Sequence, residues 1–383
     1  MKKNIGFVTG TRAEYGLLAR TIMLMQSDPR FSTCIFACGA HLSPEFGYTI
    51  AELESDGVKN IIPVEMLISS NSRVGIAKSV GLATISFAEA FSRESLDAIV
   101  LLGDRYELLA AAQTAMLLDI PIIHIHGGEV TEGAFDDAIR HSITKMANIH
   151  FPATQEFASR IKQLGESSDS IFVVGSPGVD NILNGPRMNK KSLEESLGFT
   201  LLDPLALVTY HPVTKAQDES ENDISPLIDA MQANPQFNYV ITYPNADGGG
   251  AQIIKQWESI ANLDNVHIVP SLGFKRYLSL MEYVKCVIGN SSSGIIEAPS
   301  FNAMTINIGS RQNGRPRAQS IVDTPMEKKT ISEAMILSED EKWLASKGET
   351  INPYGQGGTA QKIVQLLAKL DFDTFRIKKF QDL

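Results

Sequence analysis

Cysteines and unbroken apolar runs are scarce in this chain of 383 residues, and basic residues are outnumbered by acidic ones. Each shortage excludes something. The three cysteines, Cys34, Cys38 and Cys286, form neither a Cys-x-x-Cys pair nor a disulfide framework, so a cross-linked secreted scaffold is set aside and a reducing cytoplasm is expected. No run approaches the roughly 20 apolar residues of a membrane-spanning helix, so no membrane partner is expected. The basic start Met1–Asn4 leads into Ile5-Gly6-Phe7-Val8, which breaks at Thr9-Gly10-Thr11-Arg12 and therefore reads as a first strand, not as a signal peptide. With 34 Lys and Arg against 44 Asp and Glu, a net charge of -10 argues against nucleic acid as a partner. A local basic pocket for a small phosphorylated ligand stays compatible with that charge. No short repeat or low-complexity tract is detected.

The length, with 43% hydrophobic residues, favours two domains, each able to hold a core. Ile5–Val8, Thr33–Ala37, Ile61–Val64, Ala98–Leu102, Ile120–Ile125 and Ile171–Val174 read as buried strands, with amphipathic stretches such as Gly16–Gln26, Gly75–Phe91 and Glu107–Leu118 between them. The turn-rich segment Gly175–Asn189 is expected to connect the domains. Strands then resume at Leu205–Tyr210, Asn238–Thr242, His267–Pro270, Cys286–Asn290 and Ala303–Ile308. Apolar strands each followed by a helix predict an α/β protein with parallel sheets covered on both faces. The expected layout is two Rossmann-like domains facing a central cleft, residues 1–175 and 176–358, with the helix of 359–383 packing back on the first.

Chemistry concentrates between Gly103 and His141. One apolar strand ends in Gly103-Asp104-Arg105, another in His126-Gly127-Gly128-Glu129, and Asp136-Asp137-Ala138-Ile139-Arg140-His141 follows. Ionisable groups just past the carboxyl ends of strands in an open α/β sheet suit proton transfer on a polar substrate. Gly10-Thr11-Arg12-Ala13-Glu14-Tyr15-Gly16 is a strand-to-helix turn whose N–H groups and Arg12 could meet an anion, although glycines that merely shape the turn explain it more simply. Asn290-Ser291-Ser292-Ser293-Gly294 is a stronger anion signal, with Glu297 placed for ribose hydroxyls and Arg311 for phosphate. His211 before Pro212 ends a strand, where a histidine is as readily structural as catalytic, and Asn245 lies in an equivalent loop. His124 and His126 are two ligands where a zinc site needs further ones at good spacing, and Cys34, Cys38 and His41 lie on a distant strand and turn, so no metal is expected.

Together these motifs, with Tyr210-His211-Pro212-Val213 and Gly309–Arg315, resemble the UDP-N-acetylglucosamine 2-epimerase family over residues 5 to 315. Gly-Thr-Arg-Ala-Glu-Tyr-Gly and Asp-Asp-Ala-Ile-Arg-His-Ser-Ile-Thr-Lys resemble its hydrolysing branch, the bacterial NeuC type. The resemblance implies a GT-B fold and conversion of UDP-N-acetylglucosamine to N-acetylmannosamine and UDP, without a cofactor. C2 would be deprotonated, UDP eliminated to leave a glycal, and water added. It also implies catalytic roles for Asp104, Asp136, Arg140 and His211. UDP binding would fall to Arg12, Arg105, His211, Asn245, Leu272, Ser291, Ser292, Glu297 and Arg311. Many members carry Glu where this chain has His126, so His126 is expected to take part, with Glu129 the alternative. The same reaction on a UDP- or GDP-linked 2,4-diacetamido-2,4,6-trideoxyhexose is the nearest rival, and a GT-B glycosyltransferase or a nucleotide-sugar sensor are more distant ones. Relatives suggest a homodimer or homotetramer, and domain closure during the cycle is expected.

Overall fold

The computed structural model describes residues 2–44, 48–68, 72–130, 135–212, 223–244, 250–347 and 350–382. It divides into two compact units, Met1–Asn181 with Gly357–Leu383, and Ile182–Gln356. Unit 1 holds β1 (Lys3–Thr9), β2 (Phe31–Cys38), β3 (Ile61–Val64), β4 (Ala98–Leu102), β5 (Ile122–Ile125) and β6 (Ile149–Phe151) in the order β3-β2-β1-β4-β5-β6. Unit 2 repeats the arrangement with β7 (Leu205–Thr209), β8 (Asn238–Thr242), β9 (Val266–Ile268), β10 (Cys286–Gly289), β11 (Met304–Ile308) and β12 (Ile321–Thr324), ordered β12-β11-β10-β7-β8-β9. Every pairing described is parallel. The strands are Val-, Ile- and Leu-rich because both faces are covered: all five residues of β4 are buried, and so are all five of β7.

The helices returning the chain in unit 1 are α1 (Arg12–Ser27), α2 (Ile50–Ser55), α3 (Arg73–Ser92), α4 (Tyr106–Leu117), α5 (Phe135–Met146), α6 (Gln155–Gln163) and α7 (Pro177–Asn184), the last of which crosses into unit 2. Unit 2 adds α8 (Lys190–Leu197), α9 (Ser225–Ala233), α10 (Gly250–Glu258), α11 (Gly273–Met281), α12 (Ser292–Ile296), α13 (Lys328–Leu337) and α14 (Glu341–Lys347). α15 (Thr359–Lys369) rejoins unit 1, where Ile363, Val364 and Leu367 enter the core beside Leu18 and Ile22 of α1. The Asp180 carboxylate accepts the Gly358 and Ala360 N–H groups at 2.8 and 2.9 Å, and Lys3 Nζ caps the other end of α15 at the Leu367 carbonyl, 2.8 Å.

Several expectations need correction. The division falls inside the expected connection Gly175–Asn189 but after Asn181 instead of at 175, within α7, because Ser176 and Asp180 are tied to α15. Ile171–Val174 makes one bridge, Ile171 to His150, and no strand. Its ladder stops at Pro152, which has no N–H to return a bond. Among the described residues α3 is long and apolar enough to cross a membrane by length and composition, which a search for unbroken apolar runs overlooks because Lys78, Ser79 and Thr84 interrupt it. Its Ala83, Phe87 and Phe91 are core residues, with the Phe91 ring edge-on to Phe36 of β2 at 4.8 Å, while Val74 and Ile85 are exposed.

Gly289 ends β10 at φ +134, and a Cβ there would lie 2.0 Å from the Thr209 carbonyl oxygen at the end of β7. Gly289→Ala is therefore expected to destabilise unit 2 by about 3 kcal/mol through strain and overpacking. Gly57→Ala, also at positive φ but with open space around the added methyl, should cost about 1 kcal/mol. Denaturant melts of both variants check the contrast.

Candidate active site

In each sheet the strand order reverses between two neighbours, β1 and β4 in unit 1 and β7 and β10 in unit 2. Connections on the two sides of such a point leave in opposite directions and open a crevice at the carboxyl ends of the strands. Gly10–Arg12 follows β1, Gly103–Arg105 follows β4, His211 lies just beyond β7, and Asn290 follows β10.

In unit 1, Arg140 of α5 is buried and donates through Nη2 to Asp104 Oδ2, with Asp137 Oδ1 3.8 Å from its other terminal nitrogen. Asp136 and Arg140 are four apart and so share one face of α5. Burial raises the Asp104 carboxyl above its ordinary range, Arg140 pulls it back, and the charges of Asp136 and Glu129 add to the rise. Asp136 is raised too, first by burial, against Arg105 and Arg140. His126 has φ +64, a left-handed turn opened by the end of β5, and its Nδ1 lies 2.6 Å from Glu129 Oε1. The two residues treated as alternatives in the sequence thus form one dyad. Ser176 Oγ lies 3.5 Å from the other ring nitrogen, Nε2.

His124 is fully buried, and burial lowers it to about 3, so the ring is neutral. Its Nε2 donates to the Gly103 carbonyl at 2.8 Å, because a carbonyl can only accept, which leaves Nδ1 to accept the Thr144 hydroxyl at 3.1 Å. His124 therefore holds the backbone just before Asp104 and ties it to α5. That is a structural role.

The first anion loop is already occupied by its own helix. Glu14 Oε2 accepts the Gly10 and Thr11 N–H groups at 2.7 and 3.1 Å, and Thr11 Oγ1 accepts from Glu14 N, a complete capping box. Burial, with Glu107 nearby, pushes the Glu14 carboxyl up to about 7. Arg12 is exposed and paired with Glu52 at 2.8 Å. Arg105 forks onto buried Glu107 at 3.0 and 3.2 Å, so Glu107 fixes the direction of a cation that also lowers Asp136.

In unit 2 the hub is Asn290, fully buried. Its side chain accepts from His211 N at 2.7 Å and donates to His211 O at 2.8 Å, locking the backbone of that histidine. Its own carbonyl accepts from Arg311 at 3.1 Å and Gln312 at 2.9 Å. Ser291 caps α12 by accepting from Ser293 N at 3.4 Å, and Ser292 opens that helix. α12 has only 5 residues, so the expected helix dipole is weak and one of its N–H groups is taken. Glu297 closes α12; burial raises its carboxyl, against the Tyr277 hydroxyl. Leu272 is buried in the hydrophobic core of unit 2, and its carbonyl accepts from Arg276 at 2.7 Å. Asn245 lies outside the described residues.

The structure thus groups Asp104, Arg105, His126, Glu129, Asp136 and Arg140 in unit 1, and His211, Ser291, Ser292 and Arg311 around Asn290 in unit 2. Sequence reasoning missed Glu107, Asn290, Thr144 and Ser176 as supports. The capping box was readable as Thr-x-x-Glu. Among the described residues no group of three or more His, Cys, Asp or Glu is arranged to hold a metal ion.

Arg140→Met leaves Asp104 and Asp137 without their shared cation and is expected to cost about 3 kcal/mol or more near neutral pH. With Arg140 gone the folded-state pKa of Asp104 rises further above its unfolded value. Protonation then relieves the site, so the deficit against wild type should widen from pH 5 to pH 8. Urea melts at the two pH values check the sign.

A family model described as UDP-N-acetylglucosamine 2-epimerase matches residues 24–368. The chain is 38% identical, over all of both chains, to a GDP/UDP-N,N'-diacetylbacillosamine 2-epimerase (hydrolyzing) of Campylobacter jejuni. It is 35% identical to polysialic acid biosynthesis protein P7 of Escherichia coli, over 99% of this chain and 97% of that one. Identity is 34% to a UDP-N,N'-diacetylbacillosamine 2-epimerase (hydrolyzing) of Legionella pneumophila, over 96% of each. Among solved structures, the Neisseria meningitidis UDP-GlcNAc 2-epimerase bound to UDP-GlcNAc superposes with a TM-score of 0.79 at 18% identity, covering 96% of this chain and 100% of that one. The Methanocaldococcus jannaschii UDP-GlcNAc 2-epimerase in complex with UDP-GlcNAc and UDP gives 0.73 at 18%, covering 95% and 99%. These likenesses bear out the GT-B-like α/β fold, and the matched length and identities show that the chain belongs to the UDP-N-acetylglucosamine 2-epimerase family, in its hydrolysing branch.

Proposed function

We propose that the chain hydrolyses a UDP-linked 2-acetamido sugar with inversion at C2, releasing UDP and the free 2-epimer. The observation that carries this reading is the His126–Glu129 dyad set beside two carboxyls raised by burial, Asp104 and Asp136. Epimerisation needs one group to take the C2 proton and another to return one on the opposite face, and a pair of different groups suits that demand better than a simple transfer does. Glu129, 2.6 Å from Nδ1, faces that side of the imidazole and leaves Nε2 to accept a proton. Burial, which raises Asp104 and Asp136, favours the protonated form that can give one back.

Loss of the C2 proton and departure of UDP from C1 give a glycal. Water then adds its oxygen at C1, and C2 takes up a proton. The sum is nucleotide sugar plus water to free sugar plus UDP, which is redox-neutral and calls for no cofactor. Arg105 and Arg140 compensate negative charge in unit 1. His211, Ser291, Ser292 and Arg311 of unit 2 are the groups proposed to bind the nucleotide, with Glu297 for a ribose hydroxyl. Arg12 stands outside this assignment, because Glu52 pairs with it and the adjoining turn is self-capped.

The sugar we favour is a 2,4-diacetamido-2,4,6-trideoxyhexose, since relatives at 38% and 34% identity over nearly their full length bear the name of N,N'-diacetylbacillosamine. UDP-N-acetylglucosamine is the second reading, supported by the relative named for polysialic acid biosynthesis at 35%. Incubation with each nucleotide sugar, followed by chromatography of released UDP and NMR of the sugar, is expected to give the 2-epimer of the diacetamido sugar at the higher kcat/KM. Faster turnover of UDP-N-acetylglucosamine would select the second reading, and no UDP from either would refute both. His126→Gln should bind UDP as wild type does while losing about a hundredfold or more in turnover; calorimetry and the same assay check the pair.

A further inference from the structure

The C-terminal tail that follows α15 holds a cation with no part in the chemistry above. We propose that Lys378 is a positioning residue for the proton-transfer helix α5, clamping its C-terminal end so that Arg140 and Asp136 keep their places. Lys378 Nζ donates to the Lys145 carbonyl at 2.6 Å, an orphan acceptor in the last turn of α5, and to the carbonyl of Ala147 just past the helix, and pairs with Glu166 at 2.8 Å. Glu166 is nearly fully buried and also takes Lys145 Nζ at 2.7 Å and His150 Nε2 at 3.1 Å. Neighbouring tail residues brace the same place: Asn148 Nδ2 donates to the Phe375 carbonyl at 2.9 Å, Gln381 N to the Gly165 carbonyl at 3.0 Å, and Lys145 lies 4.8 Å from the Phe380 ring.

Two physical routes run from this clamp to the reacting groups. One is α5 itself, a hydrogen-bonded rod from Lys145 back to Arg140, whose guanidinium holds Asp104. The other leaves the last turn at Thr144, whose hydroxyl meets His124, whose Nε2 holds the Gly103 carbonyl next to Asp104. A cation at a helix C-terminus also opposes the partial negative charge of the helix dipole. Loss of the clamp frays the last turn, loosens Thr144 and lets Asp104 drift from its productive position. Displacements near 1 Å at a reacting centre cost rate far more than binding.

The inference rests on reading α5 as the proton-transfer helix, and its test separates the two. Lys378→Met is expected to lower kcat about tenfold with KM changed less than about twofold, and Lys378→Arg to recover at least half of the lost rate. Arg376→Met removes a different tail anchor, the pairs with Asp119 and Asp373, and should leave kcat unchanged. Wild-type kcat in Lys378→Met, or equal losses in the Lys378 and Arg376 variants, overturns the proposal. Should Lys378→Met fail to fold, Glu166→Gln carries the same expectation and the same refutation. Amide exchange supplies a readout without turnover: residues 144–148 should exchange faster in Lys378→Met and not in Arg376→Met. Unchanged exchange overturns the clamp even if the enzyme is active, whereas a wild type inactive on both sugars overturns the functional reading and leaves the exchange result to decide the clamp.

Discussion

Arg140 is the buried cation around which the acidic cluster of unit 1 is organised. Burying carboxylates without compensation is costly enough that they would simply take up protons. Arg140 meets Asp104 directly and lies within reach of Asp137, and its field lowers Asp136. The balance leaves Asp104 and Asp136 raised above the ordinary carboxylate range, burial outweighing the cations. The supporting shell serves that balance. Glu107 aims Arg105, His124 fixes the backbone before Asp104, and α5 carries Asp136, Asp137 and Arg140 on one rod.

The second constraint is topological. Because strand order reverses at β1/β4 and at β7/β10, the loops after those four strands converge within each unit. Asn290 shows how little then suffices to fix a site. One buried amide locks the His211 backbone through both of its polar atoms, and its carbonyl gathers Arg311 and Gln312.

Much of this was legible in the sequence, for identifiable reasons. Doubly covered parallel strands are unbroken apolar runs, so Ile61–Val64, Ala98–Leu102 and Asn238–Thr242 coincide with β3, β4 and β8. β6 and β12 escaped because they are 3 and 4 residues long and carry His150 and Asp323. Ile171–Val174 looked like a strand by composition but has a proline opposite it. In unit 1 the identities of the ionisable groups could be read, whereas their pairing could not. His126 and Glu129 seemed to be rivals because nothing in the letters reveals the positive φ that turns the imidazole onto the carboxylate. The Gly10 loop shows the opposite case, a Thr-x-x-Glu signature that was readable and that withdraws two N–H groups from any ligand.

The central claim is that unit 1 moves a proton at C2 of the sugar. Turnover of the nucleotide sugar in D2O, with NMR of the released product, tests it most directly. The account predicts one deuterium at C2 of essentially every product molecule, with the configuration at C2 inverted. UDP release with protium retained at C2 would contradict it, because C1 chemistry alone leaves that hydrogen untouched.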